Sequence, residues 1–194
     1  MKKHIKTTIV IVVLAALGLG YYYYLANRTP TADATQMASI NHELAALTTR
    51  DISSNYPQSP KELVKLYARI TQAYYYSDTT DEQVKQLGQQ ARLLFDDELK
   101  GKQTEEEFLT ALQEDVNSYR SAGRYINEYK IEGSNNTKYT TFDGKEYASI
   151  NMVYYIRQKS ALEYSYTRFI MRKDTQGNWK ILYWELIPEE DINE

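Results

Sequence analysis

The spacing of apolar residues changes once along the chain, near Gly123, from a helical period of three to four residues to a period of two. Four amphipathic helices are predicted before this point. The first is predicted from Gln36 by its apolar spacing alone, and the helix that starts near Thr80 is expected to continue to Gly101. The other three begin at helix-capping sequences: Ser59-Pro60-Lys61-Glu62, Thr80 to Gln83, and Thr104 to Glu107.

Four to five strands are predicted after Gly123, because apolar and polar residues alternate there as in half-buried strands. Asp143-Gly144 is a strong hairpin-turn signal before the longest strand, residues 146 to 159. That strand places one set of residues on a single face: Ala148, Ile150, Met152, Tyr154 and Ile156. Turns this short join antiparallel neighbours, so the order of elements predicts an α+β domain.

The segment before the predicted helices has the properties of a membrane anchor. Residues 7–27 are 21 consecutive uncharged residues, and as a helix they would span about 31 Å, enough for a bilayer core. The basic residues of the tail, residues 1–6, place the N-terminus in the cytoplasm. The alternative is a secretory signal peptide cleaved before Tyr21. Residues 28–35 are predicted to be a tether, and residues 36–194 an exported domain.

The charge is unevenly distributed. Four of the 23 basic residues lie in the first 30 residues, which contain no acidic residue. The remaining 19, set against 26 acidic residues, give a formal charge of −7 beyond residue 30, which argues against nucleic-acid binding. The absence of cysteine excludes disulfides, thiolate zinc sites and cysteine nucleophiles. Tyrosine is abundant, with 19 residues against four phenylalanines.

The pattern resembles the NTF2-like superfamily of cone-shaped α+β domains. The resemblance is carried by the helix from Ser59 to Tyr76 and by the sequence from Tyr147 to Ile187, which contains TRFIMRKDTQGNWKILYWEL. It implies three or four helices packed on a curved antiparallel sheet of four to five strands, behind the N-terminal transmembrane helix. Membrane-anchored domains of this kind are typical of uncharacterised Gram-positive envelope proteins. They also occur in VirB8-like components of conjugation and secretion machines, and the superfamily includes isomerases and dehydratases.

The sequence carries little that points to catalysis. No metal-ligand, nucleotide-binding or nucleophile motif occurs, so neither a metal nor another cofactor is expected. His42 is interpreted as a surface residue of the first helix rather than a base. The acidic run Asp96 to Glu98 is interpreted as a solvated helix end. Asp115 with Tyr119, four residues apart on the fourth helix, is the one candidate for a base and a proton donor.

Aromatic residues are the remaining candidates for a binding site. Tyr154, Tyr166 and Trp184 are expected near the middles of three strands, on the concave surface that the resemblance implies. Tyr67 and Tyr74 lie on the helix stripe expected to cover that surface. If the cone is open, these residues would bind a peptide, a glycan or an apolar ligand. If it is filled, they are core residues.

Three functional hypotheses follow. The first is a non-catalytic binding or scaffold domain of the cell envelope, with a protein or cell-wall partner. The second is a VirB8-like machine component, and the third is a small NTF2-like isomerase or hydrolase. All three place the chain in the cell membrane as a single-pass protein with an extracellular C-terminal domain. Homo-oligomerisation is left open.

Overall fold

The computed structural model describes residues 31–193 of the 194-residue chain. The chain divides into two compact units, residues 1–42 and residues 43–194, and the site discussed below lies entirely in the second. The helices and strands are as follows: α1 (Thr31–Thr48), α2 (Pro60–Tyr74), α3 (Asp81–Leu93), α4 (Asp97–Lys100), α5 (Glu105–Ser121), β1 (Arg124–Ile131), β2 (Lys138–Phe142), β3 (Lys145–Gln158), β4 (Ala161–Lys173) and β5 (Trp179–Leu186).

The helix starts confirm the capping predictions. The Ser59 side chain accepts a hydrogen bond from the Glu62 amide, and Pro60 occupies the first helical position of α2. Thr80 and Thr104 each form a reciprocal capping box with the residue three positions later. These side chains bind backbone N–H groups that have no partner within the helix, which fixes where each helix begins.

The helix predicted from Thr80 to Gly101 is wrong in one respect, because it is two helices. The backbone leaves α3 after Leu93 and makes a short parallel bridge with β5 at Phe95 and Ile181. The Asp96 amide donates to the Ile181 carbonyl at 2.8 Å, and the Ile181 amide donates to the Leu94 carbonyl at 2.8 Å. These two bonds replace helical ones and separate the short helix α4 from α3.

Asp96 corrects the prediction of a solvated acidic run. Only 5% of this residue is exposed, and its carboxylate accepts two hydrogen bonds from the Arg172 guanidinium, of 2.5 and 3.1 Å. It also accepts from the Glu98 amide as the N-cap of α4. A buried carboxylate needs such partners, since its desolvation is otherwise costly. Asp97 and Glu98 are exposed, as predicted.

The sheet is antiparallel and five-stranded, which confirms the predicted α+β class. Its order is β1-β3-β4-β5, and β2 pairs with the first part of β3 while β1 pairs with the remainder. The predicted face of β3, from Ala148 to Ile156 in steps of two, is buried. Asp143 and Gly144 both have positive φ in the predicted turn between β2 and β3.

The core lies between this sheet and the helices. α2 contacts β1, β3, β5 and α3, and its buried stripe includes Leu63, Leu66 and Ile70. On the sheet, Met152, Phe169 and Ile181 are fully buried. α5 packs against α3 and β1 but buries only Val116 completely, so its inward face is left partly uncovered.

The N-terminal predictions have different outcomes. The predicted anchor, residues 7–27, lies outside the described residues. Within residues 31–193, no helix combines the length and apolarity needed to cross a membrane. Residues 31–35 were predicted as part of the tether but begin α1, because Ala32 and Ala34 favour a helix and no Gly or Pro interrupts it.

Candidate functional site: an aromatic cavity between the helices and the sheet

An open cavity of about 620 Å³ lies under the inward faces of α2 and α5. The sheet forms its floor through residues of β1, β3, β4 and β5, and the segment from Arg92 to Gln103 forms one side. The size falls within the range of small-molecule sites in proteins. The incompletely buried face of α5 is therefore the wall of a cavity.

Aromatic rings form the main wall. Tyr67 on α2 is surrounded by three of them, with centroid distances of 5.8 Å to Phe95, 5.6 Å to Phe169 and 5.5 Å to Trp184. All four rings line the cavity. Trp184 keeps 40% of its surface exposed, although it contacts these rings. A wall of ring faces and edges offers stacking surface to a ligand with an apolar or aromatic body.

The sheet register explains which strand residues reach the cavity. Tyr154 pairs with Ser165, and Phe169 pairs with Trp184, so these four residues share one face of the sheet. Thr167, between Ser165 and Phe169 on the same face, also lines the cavity. The small Ser165 and Thr167 side chains leave the space that larger residues would fill.

Two residues that line the cavity, Thr71 and Tyr154, have buried hydroxyl groups. Among the described residues, neither the Tyr154 hydroxyl nor the Thr71 hydroxyl makes a hydrogen bond of normal geometry. Burial raises the pKa of Tyr154 well above its usual value, and the neighbouring Tyr67 adds to the effect, while Thr71 offsets it in part. Both oxygen atoms are inaccessible from the cavity, and leaving a buried hydroxyl unsatisfied is costly.

One end of the cavity is marked by a tyrosine and a carboxylate. The Tyr75 hydroxyl donates to Asp115 at 2.5 Å, and burial raises the pKa of Tyr75, with the Asp115 hydrogen bond acting in the same direction. The Tyr119 ring packs on Tyr75 at 4.4 Å, and the Arg124 guanidinium lies 4.7 Å from the centre of the Tyr119 ring. The predicted pair of Asp115 and Tyr119 is therefore replaced by Asp115 and Tyr75.

The other end carries two cations, Arg92 and Lys102. Arg92 lies 5.5 Å from the centre of the Phe108 ring and donates to the Gln103 carbonyl at 3.4 Å. Its position depends on Gly88, one turn earlier on α3. A Cβ at that residue would lie 2.6 Å from a methyl carbon of Leu109, so glycine allows α5 to approach α3 closely.

The structure brings together four of the five predicted site residues. Tyr67, Tyr74, Tyr154 and Trp184 all line the cavity. Tyr166 does not, because it pairs with Val153 and lies on the opposite face of β4 from Ser165 and Thr167. The Tyr166 ring stacks on Tyr164 at 6.2 Å, and Tyr164 contacts Tyr155 at 5.4 Å, which gives a row of tyrosines on the outer face of the sheet. A hydrogen bond to Glu189 raises the pKa of Tyr166 to about 12.

A family described as a domain of unknown function (DUF6715) matches residues 1–184. The chain belongs to this family. The match covers the segment 7–27 and all but the last residues of the α+β domain. The comparison with curated proteins gave no match.

Sequence reasoning missed several residues of the cavity in this family member. Arg92 and Lys102 were not singled out, although a glycine inside an amphipathic helix, followed one turn later by arginine, was an available signal. Phe95 falls within the helix predicted from near Thr80 to Gly101 but was not predicted to belong to the site. His42 is exposed, as predicted. Across residues 31–193, no three or more His, Asp or Glu side chains are grouped as metal ligands.

Proposed function

We propose that this protein is a non-catalytic binding domain of the cell envelope, and that it binds a small, largely apolar ligand in the aromatic cavity. The observation that carries the proposal is the open cavity itself, which combines a wall of four aromatic rings with a few polar side chains at its ends, Asp115 at one and Arg92 and Lys102 at the other. Such a combination is typical of sites that take an apolar molecule and orient it by a few polar contacts.

We further propose an anchored, extracytoplasmic location for this domain. The proposal is supported by the 21 uncharged residues of segment 7–27 and the lysines before them. An NTF2-like cone is proposed as the finer description of the α+β fold. It is supported by the packing of helices on one face of an antiparallel sheet and by two bulges, in β1 after Ile126 and in β5 between Ile181 and Tyr183. No feature of the described residues favours the VirB8-like alternative, which stays a prediction.

Titration calorimetry with 2-naphthamide, an uncharged aromatic probe, tests the binding proposal. The full-length chain is used in a non-ionic detergent, with detergent alone as the reference. Saturable one-to-one binding is expected. In the Ser165→Trp variant the indole would occupy the cavity, and we expect affinity to fall by about tenfold or more. The melting temperature should be preserved, since Ser165 borders empty space.

Tyr164→Trp is the matched control, because it adds the same ring to the same strand on the opposite face of the sheet. It should leave affinity for 2-naphthamide unchanged. Failure of the wild-type chain to bind would contradict the proposal. Equal binding by wild type and Ser165→Trp, with both folded, would place the probe elsewhere and also contradict it.

A second candidate function, a small isomerase or hydrolase, is favoured by one observation. The Asp115 carboxylate is exposed, lines the cavity and is held by the Tyr75 hydroxyl, so a base and a donor meet at a ligand site. The test is turnover of a cyclic β,γ-unsaturated ketone and of p-nitrophenyl acetate. Turnover by wild type that Asp115→Asn abolishes, with folding intact, would establish this function and contradict the non-catalytic one.

A further inference from the structure

We propose that the cavity selects an amphipathic organic anion, with the anionic group held between Arg92 and Lys102 and the apolar body lying against the aromatic wall. This inference rests on the proposed binding function and names its ligand class. Both cations line the cavity at the same end, because Arg92 donates to the carbonyl of Gln103, the residue that follows Lys102. The chain beyond residue 30 carries a formal charge of −7, so these two positive charges are opposite in sign to the net charge of the domain.

Arg92 is positioned but not neutralised. The Phe108 ring and the Gln103 carbonyl hold its guanidinium, and within residues 31–193 it has no carboxylate partner. A guanidinium on an aromatic ring keeps its donors at the edge of the plane free for a planar anion. The Phe108 ring is itself fixed by Phe95, with centroids 5.7 Å apart at an angle of 87°. The cation is therefore oriented by the same rings that form the wall.

Lys102 is equally available. It is exposed, and its side chain makes no hydrogen bond or ion pair with any described residue, although its amide donates to the Leu99 carbonyl at 3.2 Å. Two acidic residues that follow Lys102 closely in the chain are engaged elsewhere. Glu105 accepts a hydrogen bond from Gln89 at 2.9 Å, and Glu107 caps α5 by accepting from Thr104. Neither of these carboxylates lines the cavity, so neither replaces an incoming anion.

The opposite end of the cavity disfavours an anion. Asp115 lies seven residues beyond Phe108 on α5, which corresponds to about 10 Å along the helix axis. Its carboxylate would repel a ligand anion placed there. The site thus has a direction, with cations at the start of α5 and a carboxylate toward its end. This direction favours an amphipathic anion that binds with its acidic group at Arg92 and Lys102.

Titration calorimetry with two probes of the same shape tests the inference. 2-Naphthoate carries a carboxylate where 2-naphthamide carries an uncharged amide. For the full-length chain in non-ionic detergent, we expect 2-naphthoate to bind about tenfold more tightly, with an advantage that shrinks as the salt concentration rises. In Lys102→Gln the advantage of 2-naphthoate should shrink, and in the double variant Arg92→Gln/Lys102→Gln its affinity should fall to that for 2-naphthamide. The affinity for 2-naphthamide should be unchanged in both variants.

Lys85→Gln is the matched control, because Lys85 is an exposed cation on α3 outside the cavity. It should leave both affinities unchanged. Lys102→Gln removes no contact within the described residues, so its fold should be retained. If both probes bind equally and the variants change nothing, the charge selection is refuted while the binding function stands. If neither probe binds to wild type, the proposed function and this inference fall together.

Discussion

The hydroxyl of Tyr75, the C-cap residue of α2, donates a 2.5 Å hydrogen bond to Asp115 on α5. Together with the packing of the Tyr119 ring on Tyr75, this bond joins the two helices at one end of the cavity. Tyr75→Phe should lower the free energy of unfolding by about 1–2 kcal/mol, since a hydrogen bond to a charged group is lost. Asp115→Asn keeps an acceptor oxygen and should cost less. Chemical denaturation of both variants measures the difference, and a larger loss for Asp115→Asn would contradict this assignment.

The two tryptophans should respond in opposite ways to truncation. Trp184 is 40% exposed and lines the cavity, whereas Trp179 is 6% exposed and lies outside it. Trp184→Ala should weaken 2-naphthamide binding by about 2 kcal/mol while costing only about 1–2 kcal/mol of stability.

Trp179→Ala should instead cost about 3–5 kcal/mol of stability and leave the affinity of the folded fraction unchanged. Calorimetric binding and thermal unfolding are measured for each variant. Should Trp184→Ala lose stability on the scale of Trp179→Ala, Trp184 would be a core residue.

Tyr154→Phe should be neutral or stabilising by about 1 kcal/mol, because it removes a buried hydroxyl that has no partner among the described residues. The matched control is Tyr56→Phe. The Tyr56 hydroxyl donates to the Trp179 carbonyl at 2.9 Å, and its loss should destabilise by about 0.5–1.5 kcal/mol. Chemical denaturation compares the two changes. A clear destabilisation by Tyr154→Phe would show that its hydroxyl is already bonded.

Alkaline pH should destabilise the domain through its cavity tyrosines. Burial raises the pKa of Tyr67, Tyr74, Tyr75 and Tyr154 above the ordinary value of about 10. In the unfolded chain these phenols ionise near pH 10, while in the folded domain they stay protonated. Their contribution is therefore complete below about pH 10 and is lost as the pH rises toward the folded-state values.

Denaturant unfolding at a series of pH values, with phenolate absorbance recorded in parallel, measures this effect. Between about pH 10 and the folded-state pKa of a buried tyrosine, ionisation of that tyrosine should lower the free energy of unfolding by at most about 1.4 kcal/mol per pH unit. Part of the phenolate absorbance should appear only together with loss of the near-ultraviolet circular dichroism. Stability that stays level from about pH 9 to about pH 11 would contradict the burial of these rings.

Local signals in the sequence were sufficient for most of the fold. Capping residues such as Thr80 and Thr104 bond to backbone groups within three positions in the chain. The turn at Asp143-Gly144 depends only on the ability of these two residues to adopt positive φ. Their effects do not depend on distant contacts. The break between α3 and α4 was missed because its cause, the bridge between Phe95 and Ile181, joins residues far apart in the chain.

The face of β4 that lines the cavity was harder to predict. Both sets of alternating positions in this strand carry apolar or aromatic residues, with Tyr164 and Tyr166 on one face and Phe169 and Met171 on the other. The alternation pattern therefore did not indicate which face of β4 points toward the cavity. The pairing of Tyr154 with Ser165 places the face with Ser165, Thr167 and Phe169 there. Arg92 was missed for a similar reason, since its contact with Phe108 depends on how α3 packs against α5.

Intermolecular nuclear Overhauser effects from bound 2-naphthamide test the central claim, that the cavity is an open binding site, most directly. The full-length chain in deuterated detergent provides the sample. We predict effects from the naphthalene protons to the rings of Tyr67, Phe169 and Trp184, which line the cavity. Effects confined to the outer-face rings of Tyr155 and Tyr164, or the absence of any effect to a cavity ring at saturating probe, would contradict the account.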